Sequence, residues 1–300
     1  MNAKPRLLGI LNALAYGLNV LETFGYGPFS SGFTSIQDNA SISQKYQTII
    51  TPHGIAFSIW GLIFISQAIC IISTLVSDRR MNHPLMVEGV SFWYLSVCLA
   101  QTAWSPAFAY EKIALSVVLM GLILLGLAAI VSRQYKVVTV ILEGKEAGIS
   151  SSDYWMLQFP FEIHCSWIAA AFVLNTNILA VASGSAKTQA VVAATSLAIL
   201  AIMSFACLKI VKRPQFTFPS VAAWATFWMS YELSEPKPLI KEIFNTKQIH
   251  SMLLLTRALC AIIVASIIRG LSEISAPVSM GMSTNAARLN SHTQGRSKKE

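Results

Sequence analysis

The stretch IALSVVLMGLILLGLAAIVS, residues 113–132, runs for twenty residues without a charge. A bilayer core about 30 Å thick takes about 20 apolar residues per α-helix, so this run reads as one complete membrane crossing. Applying the same ruler outward gives eight apolar segments, near 7–26, 55–76, 89–109, 113–133, 156–182, 189–211, 216–233 and 249–271. Those at 55–76, 113–133, 189–211 and 249–271 are long and nearly free of charge. Asn12, Asn19 and Glu22 interrupt the first, and 216–233 is short, with Pro219 near its start. The fold class expected is all-α, a polytopic transmembrane helix bundle of about eight spans.

Composition agrees. Of the 300 residues, 54% are hydrophobic and only 12% charged, and mean hydropathy is +0.56. Soluble domains carry about 25% charged residues to solvate their surface, so the chain belongs in lipid. The net charge of +8 does not indicate nucleic-acid binding, because the basic residues flank apolar runs and form no stripe. Cys70, Cys98, Cys165, Cys207 and Cys260 all fall inside apolar segments; this odd, dispersed set reads as packing residues rather than a disulfide framework. No P-loop, GxGxxG, paired CxxC or HExxH motif is present, and no lysine lies mid-span in the last segment to carry a retinal.

The connections divide into short and long. Glu111–Lys112 and Ser183–Thr188 read as tight turns between antiparallel neighbours, while Gly27–Gly54 and Gln134–Asp153 read as longer polar loops. From Ser272 to Glu300 the chain is rich in Ser, Asn, Arg and Lys and reads as a solvated, disordered tail. Lys4 and Arg6 ahead of an apolar run resemble a secretory signal, but no small-residue cleavage site precedes Glu22, which favours an uncleaved first helix. With eight spans, 15 Lys and Arg fall on the side of the termini and 6 on the other, with Arg257 inside the last segment. Without the span at 216–233 the bias weakens to 13 against 8. The tally therefore favours eight spans, with both termini on the cytosol-equivalent side.

Three stretches carry more pattern than hydrophobicity requires. In Thr51-Pro52-His53-Gly54-Ile55-Ala56-Phe57-Ser58-Ile59-Trp60-Gly61-Leu62-Ile63-Phe64, the residues Phe57, Trp60 and Phe64 recur at helical spacing on one face. In Gln101-Thr102-Ala103-Trp104-Ser105-Pro106-Ala107-Phe108, Gln101, Trp104 and Phe108 share a face and Pro106 kinks or ends the helix. The third runs from Pro160 through Glu162, His164 and Trp167 to Asn175, with Ala169–Ala171 permitting close helix approach.

Together these runs resemble the translocator protein / tryptophan-rich sensory protein (TspO) family, in a longer variant with extra helices. The resemblance rests on the Pro52-x-Gly54-x-x-Phe57-x-x-Trp60-Gly61 run, the Trp104-Ser105-Pro106-x-Phe108 run and the spacing Pro160-x6-Trp167-x7-Asn175, in the family's order on consecutive helices. Gln101 departs from the family's usual Asn, and His164 is unusual in the third motif. The resemblance implies four regions: an N-terminal helix and polar loop (1–50), a TspO-like five-helix core (51–211), two additional transmembrane helices (212–271) and a basic tail (272–300). It further implies a non-enzymatic receptor or carrier for an apolar planar ligand, a porphyrin or other tetrapyrrole (haem included) or a sterol-like lipid. Pro52, Phe57, Trp60, Gln101, Trp104, Phe108, Trp167 and Asn175 would line the pocket. His164 joins them through its own chemistry, as an imidazole whose ring nitrogen suits a tetrapyrrole metal; a hydrogen-bonded packing histidine is the other reading. Flat aromatic walls suit a planar macrocycle and a few amides would orient it; the same tryptophans also suit packing, and Trp93 and Trp155 suit the membrane interface.

No resident metal or cofactor is expected beyond such a ligand. The partners expected are the lipid bilayer and a hydrophobic small molecule, with a homodimer one assembly open to the chain. Charge inside a membrane draws a functional reading. Glu162 and His164, two residues apart, point to different faces; Glu162 is expected near hydrated headgroups. Arg257 is expected to snorkel or to pair with Glu22 or Glu162. If these groups instead couple to a solute, the chain is a secondary transporter, although its halves show no convincing inverted repeat; a structural subunit of a membrane complex is the third reading.

Overall fold

The computed structural model describes residues 3–26, 39–144 and 149–275, and among them there is no strand. Eight long helices match the eight apolar segments: α1 (Ala3–Tyr26), α2 (Ile59–Val76), α3 (Trp93–Ala109), α4 (Ile113–Gly144), α5 (Phe159–Ser183), α6 (Ala186–Phe205), α7 (Thr217–Ser234) and α8 (Thr246–Ser275). Among the described residues, five stretches are long and apolar enough to cross a membrane by length and composition: Gly54–Val76, Ile113–Val140, Ser151–Ala182, Ala186–Ile210 and Thr246–Glu273. Helix α5 is the hub, touching α2, α4, α6 and α7. It is also the span buried most deeply in protein, because its run of Ala169, Ala170 and Ala171 lets neighbours approach.

Two apolar cores flank α5. One joins Ile59 and Ile63 of α2 with Trp167 and Leu174 of α5, Leu197 of α6 and Met229 of α7. The other joins Cys70, Tyr94, Val97, Ile123, Leu127 and Phe161 across α2 to α5. Trp60 packs against both. All five cysteines are free.

The polar contacts sort the connections into two ends. At one end Arg79 holds Asp153 through two bonds of 2.7 and 3.1 Å. At that end Arg133 donates to the Glu88 carbonyl at 2.7 Å, the Arg213 amide donates to the Tyr135 hydroxyl at 3.1 Å, and Lys209 pairs with Glu273 at 3.0 Å. At the other end Lys45 and Tyr46 meet Glu111, Gln47 and Lys237 meet Glu232, and the His53 amide donates to the Trp228 carbonyl. Each contact joins parts of the chain that lie zero or an even number of passes apart, as in a bundle whose helices α2 to α8 run alternately up and down. Helix α7 makes a full pass despite its short apolar run: its first residue, Thr217, bonds Glu162 at the first end and Glu232 in its last turn bonds Gln47 at the second.

Three expected loops differ. Residues 134–144, expected in a polar connection, continue α4 for three further turns, because the hydropathy ruler measures the lipid core and not the helix. The first connection is only partly a loop: Asn39–Lys45 is helical, and Ile42, Ile49 and Ile50 are buried as a lid across the second end. At the far end α8 continues through Ser275, past the expected tail start at Ser272. Residues 27–38 and 276–300, which hold the rest of those two expected segments, lie outside the described residues.

The lid is tied down by Glu111. Helix α3 ends with the Lys112 amide bonded to the Ala107 carbonyl and the Glu111 amide to the Phe108 carbonyl, with Glu111 at φ 57°. This closure normally takes Gly, since the left-handed region costs an L-residue about 1–2 kcal/mol. The Glu111 carboxylate receives Lys45 at 2.7 Å and Tyr46 at 2.6 Å. Those bonds, Lys45 first, hold its carboxyl below the ordinary glutamate value. A depressed carboxyl pKa stabilises the folded form above the unfolded value and loses that contribution as pH falls through the folded pKa. A spin label at Gln44 is therefore expected to gain mobility only below the ordinary glutamate range, and Glu111→Gln to be mobile already at neutral pH. Identical spectra in both proteins would remove Glu111 as the tether.

Candidate functional site

The first turn of α5 is entered through a π-helical segment, Tyr154–Gln158, and Pro160 sits where a missing N–H costs nothing. From there, successive turns of α5 carry three layers of polar and aromatic side chains.

The first layer is Glu162, 4% exposed. Its carboxylate accepts from Gln158 at 2.7 Å, Tyr154 at 3.1 Å and Thr217 at 2.8 Å. It is thus buried among neutral donors rather than hydrated near headgroups, because α7 closes over it. Arg257 does not reach it, and it does not reach Glu22, whose buried carboxylate lies beside Ser105. The expected Arg257 pairing is therefore absent.

The second layer gathers Phe57, Trp60, His164 and Trp167. Trp60 stacks on Phe64 at 5.7 Å and meets the edges of His164 at 5.8 Å and Trp167 at 6.5 Å. Phe57 meets Trp167 edge-on at 5.7 Å. Trp167 and His164 are buried, whereas Phe57 stands 37% exposed as the outermost ring. Behind them, Gln67 Nε2 donates to His164 Nδ1 at 2.8 Å and the Tyr94 hydroxyl donates to Gln67 Oε1 at 3.2 Å. With the Gln67 amide nitrogen turned toward the ring, Nδ1 accepts and the neutral imidazole carries its proton on Nε2. His164 Nε2 and Trp167 Nε1 have no hydrogen-bond partner, so two buried N–H donors are left among aromatic faces.

The third layer lies about 12 Å further along α5, at 1.5 Å per residue from Trp167 to Asn175. Asn175 and Ser116 of α4 bond each other at 3.0 Å. Phe108 packs at this end with Ile42, Ile113 and Ile178, and stacks on Trp104 at 5.2 Å. Gln101 is buried with Oε1 unpartnered, as is Trp104 Nε1. Pro52 is buried where the lid meets the Gly54–Ser58 turn.

The structure thus brings Phe57, Trp60, His164 and Trp167 into one cluster, and places Gln101, Trp104, Phe108 and Asn175 in separate contacts on α3 and α5. Gln67 and Tyr94 complete the cluster and were not marked by sequence. Gln67 offered one signal, since it continues the face of Trp60 and Phe64 at a spacing of three. Two surface grooves, of about 570 and 420 Å³, lie along α7–α8 and between α6 and the start of α8. None of the nine sequence-marked residues lines either. Trp93 and Trp155, 43% and 56% exposed, have the exposure of interface residues.

Among the described residues no group of three or more His, Cys, Asp or Glu could hold a metal ion. Axial ligation of a haem iron would require a free imidazole lone pair facing the macrocycle. His164 instead presents an N–H, which complements a carboxylate or carbonyl and not an iron.

A family model described as TSPO-like protein matches residues 13–268. That range takes in most of α1 and α8 as well as α7, beyond the 51–211 stretch that carries the motifs. No curated protein and no solved structure matches the chain. The eight-pass helical fold, the ordered Trp60, Trp104 and Trp167 motifs and this match over most of the chain agree: it belongs to the family of TSPO-like proteins.

Proposed function

We propose that this membrane protein is a non-enzymatic receptor or carrier for an apolar planar ligand that bears a hydrogen-bond acceptor, of the porphyrin or sterol kind. The observation that carries the reading is the second layer of α5. Aromatic faces of Trp60, Phe57 and Trp167 surround two buried N–H donors, and an unsatisfied buried donor costs about 1–3 kcal/mol. A carboxylate or carbonyl on a flat ligand would satisfy His164 Nε2 or Trp167 Nε1 while its ring stacked on Trp60. Phe57, the exposed outer ring, would swing aside to admit it. Residues 51–211 form the ligand-holding core in this reading, and 212–271 add two helices that close over Glu162. The termini and the Arg79 loop face the cytosol-equivalent side, as the basic bias requires.

Titration of detergent-purified protein with metal-free protoporphyrin should quench tryptophan fluorescence saturably. Trp60→Ala should weaken binding several-fold, since one aromatic pair contributes about 0.5–1.5 kcal/mol beyond area. Trp155→Ala, on the exposed surface, should leave it unchanged. Equal losses in both variants would remove Trp60 from the site.

A secondary transporter is the second reading, favoured by one observation: Glu162 is a buried carboxylate shared between α5 and α7 through neutral donors. In proteoliposomes the receptor reading predicts no proton flux on adding porphyrin. A flux that Glu162→Gln abolishes would favour the transporter.

A further inference from the structure

Arg257 sits eleven residues into α8, within the Thr246–Glu273 span, and makes no hydrogen bond or ion pair among the described residues. It lines the α7–α8 groove of about 570 Å³. Small residues line it, Ser230 and Ser234 on α7 and Cys260, Ala261 and Ala265 on α8, where Cys260 Sγ approaches the Ala223 carbonyl at 3.5 Å. Phe227 and Tyr231 of α7 and Val264 and Ile268 of α8 complete the lining. Phe227 is 48% exposed and Ile268 63%, so the groove opens sideways, toward hydrocarbon.

Its two ends differ in chemistry. Arg257, Tyr231 and Ser234 lie together at the end nearest the α7–α8 connection, and Phe227, Val264 and Ile268 lie deeper. Side chains on a helix lean toward its N-terminus, which carries the Arg257 guanidinium toward that connection and its interface. The Ser230 and Ser234 hydroxyls donate to the Phe227 and Tyr231 carbonyls, which leaves the guanidinium as the charged donor of the groove. From Arg257 to Ile268 the groove runs about 16 Å at 1.5 Å per residue, about half of a 30 Å hydrocarbon core. A guanidinium that reaches back toward the interface and an apolar trough of about 16 Å beyond it match the two parts of a single amphiphile. An unpaired guanidinium facing lipid is also costly without an anion, and its fork suits a phosphate through two parallel bonds.

We propose that the α7–α8 groove is a binding site for one anionic phospholipid of the surrounding bilayer, its phosphate on Arg257 and an acyl chain along Ala261, Val264 and Ala265. The site lies apart from the Trp60–Trp167 cluster and does not rest on the reading of that cluster.

The test is native mass spectrometry of the full chain released from nanodiscs of equal parts phosphatidylglycerol and phosphatidylcholine. The wild-type protein should retain one phosphatidylglycerol about tenfold over phosphatidylcholine. Arg257→Gln should lose that preference, and Arg257→Lys should keep part of it. Val264→Trp should empty the trough of either lipid, with Ala265→Leu as a milder filler; these positions are exposed, so melting temperatures should stay close to wild type. Equal retention of the two lipids by wild type would overturn the proposal. So would preference surviving Arg257→Gln, or phosphatidylglycerol still bound when both fillers are folded. A lipid-free dimer that Val264→Trp dissociates would assign the groove to a second copy and likewise overturn it.

Discussion

Trp167→Ala is expected to destabilise the folded bundle by about 3–5 kcal/mol, the range for removing a large buried aromatic ring. Trp167 is fully buried, packed with Ile163, Ala170 and Leu174 of its own helix and touched edge-on by Phe57 and Trp60. Lipid tails are as apolar as the protein interior, so helix association in a membrane draws on packing rather than on escape from water. The cost of the deletion therefore comes from lost dispersion contacts and from the cavity that α2 and α5 cannot collapse to fill. The substitution should also weaken porphyrin binding, because it removes both a wall and a donor. Denaturation in mixed micelles measures the first effect; a loss under 1 kcal/mol would mean that Trp167 is not a packing centre.

Gly126→Leu is expected to abolish assembly of the α3–α4 pair. These two helices make the most extensive contact in the bundle, and a Cβ placed on Gly126 would lie 2.7 Å from Val97 Cγ2 and 4.0 Å from the Trp93 carbonyl oxygen. Gly126→Ala can be absorbed in part if Val97 turns. A leucine cannot be absorbed, since its further carbons would enter backbone space on α3 and push the helices apart, breaking the contacts of Val97, Ile123 and Leu127. Size-exclusion yield of folded protein should fall close to zero. Pairing the change with Val97→Ala should restore part of it, because that variant removes the clashing methyl groups. Normal yield of Gly126→Leu alone would contradict the close approach.

The five long apolar spans were legible because their requirement is local. A lipid-crossing helix must carry about 20 apolar residues, and the basic connections mark alternate ends. The elements missed are those whose cause is tertiary. The lid at 39–50 is polar on average, yet Ile42, Ile49 and Ile50 close the end of the bundle. Helix α3 begins at Trp93 rather than near 89 because a π-helical turn, Leu85–Val90, and the positive φ of Ser91 intervene. At the candidate site, the face shared by Phe57, Trp60 and Phe64 follows from helical spacing and was readable. The relay from Tyr94 through Gln67 to His164 was not, since it joins α3, α2 and α5 and no spacing in one segment encodes it. Glu162 likewise reads as an interfacial carboxylate until Thr217, 55 residues away, is seen to cover it.

The central claim is that His164 offers an N–H to a planar ligand held beside Trp60. Parallel titrations of wild type and His164→Ala with haem and with metal-free protoporphyrin test it most directly. With Nδ1 accepting from the Gln67 amide, Nε2 carries the proton, so in this reading no iron–imidazole bond forms and the two porphyrins share one hydrogen bond. Wild type is then expected to bind both, and His164→Ala to weaken both by the same several-fold factor, with the haem absorbance spectrum unchanged. Unchanged affinity for both in the variant, or a loss confined to haem with an altered spectrum, would contradict it.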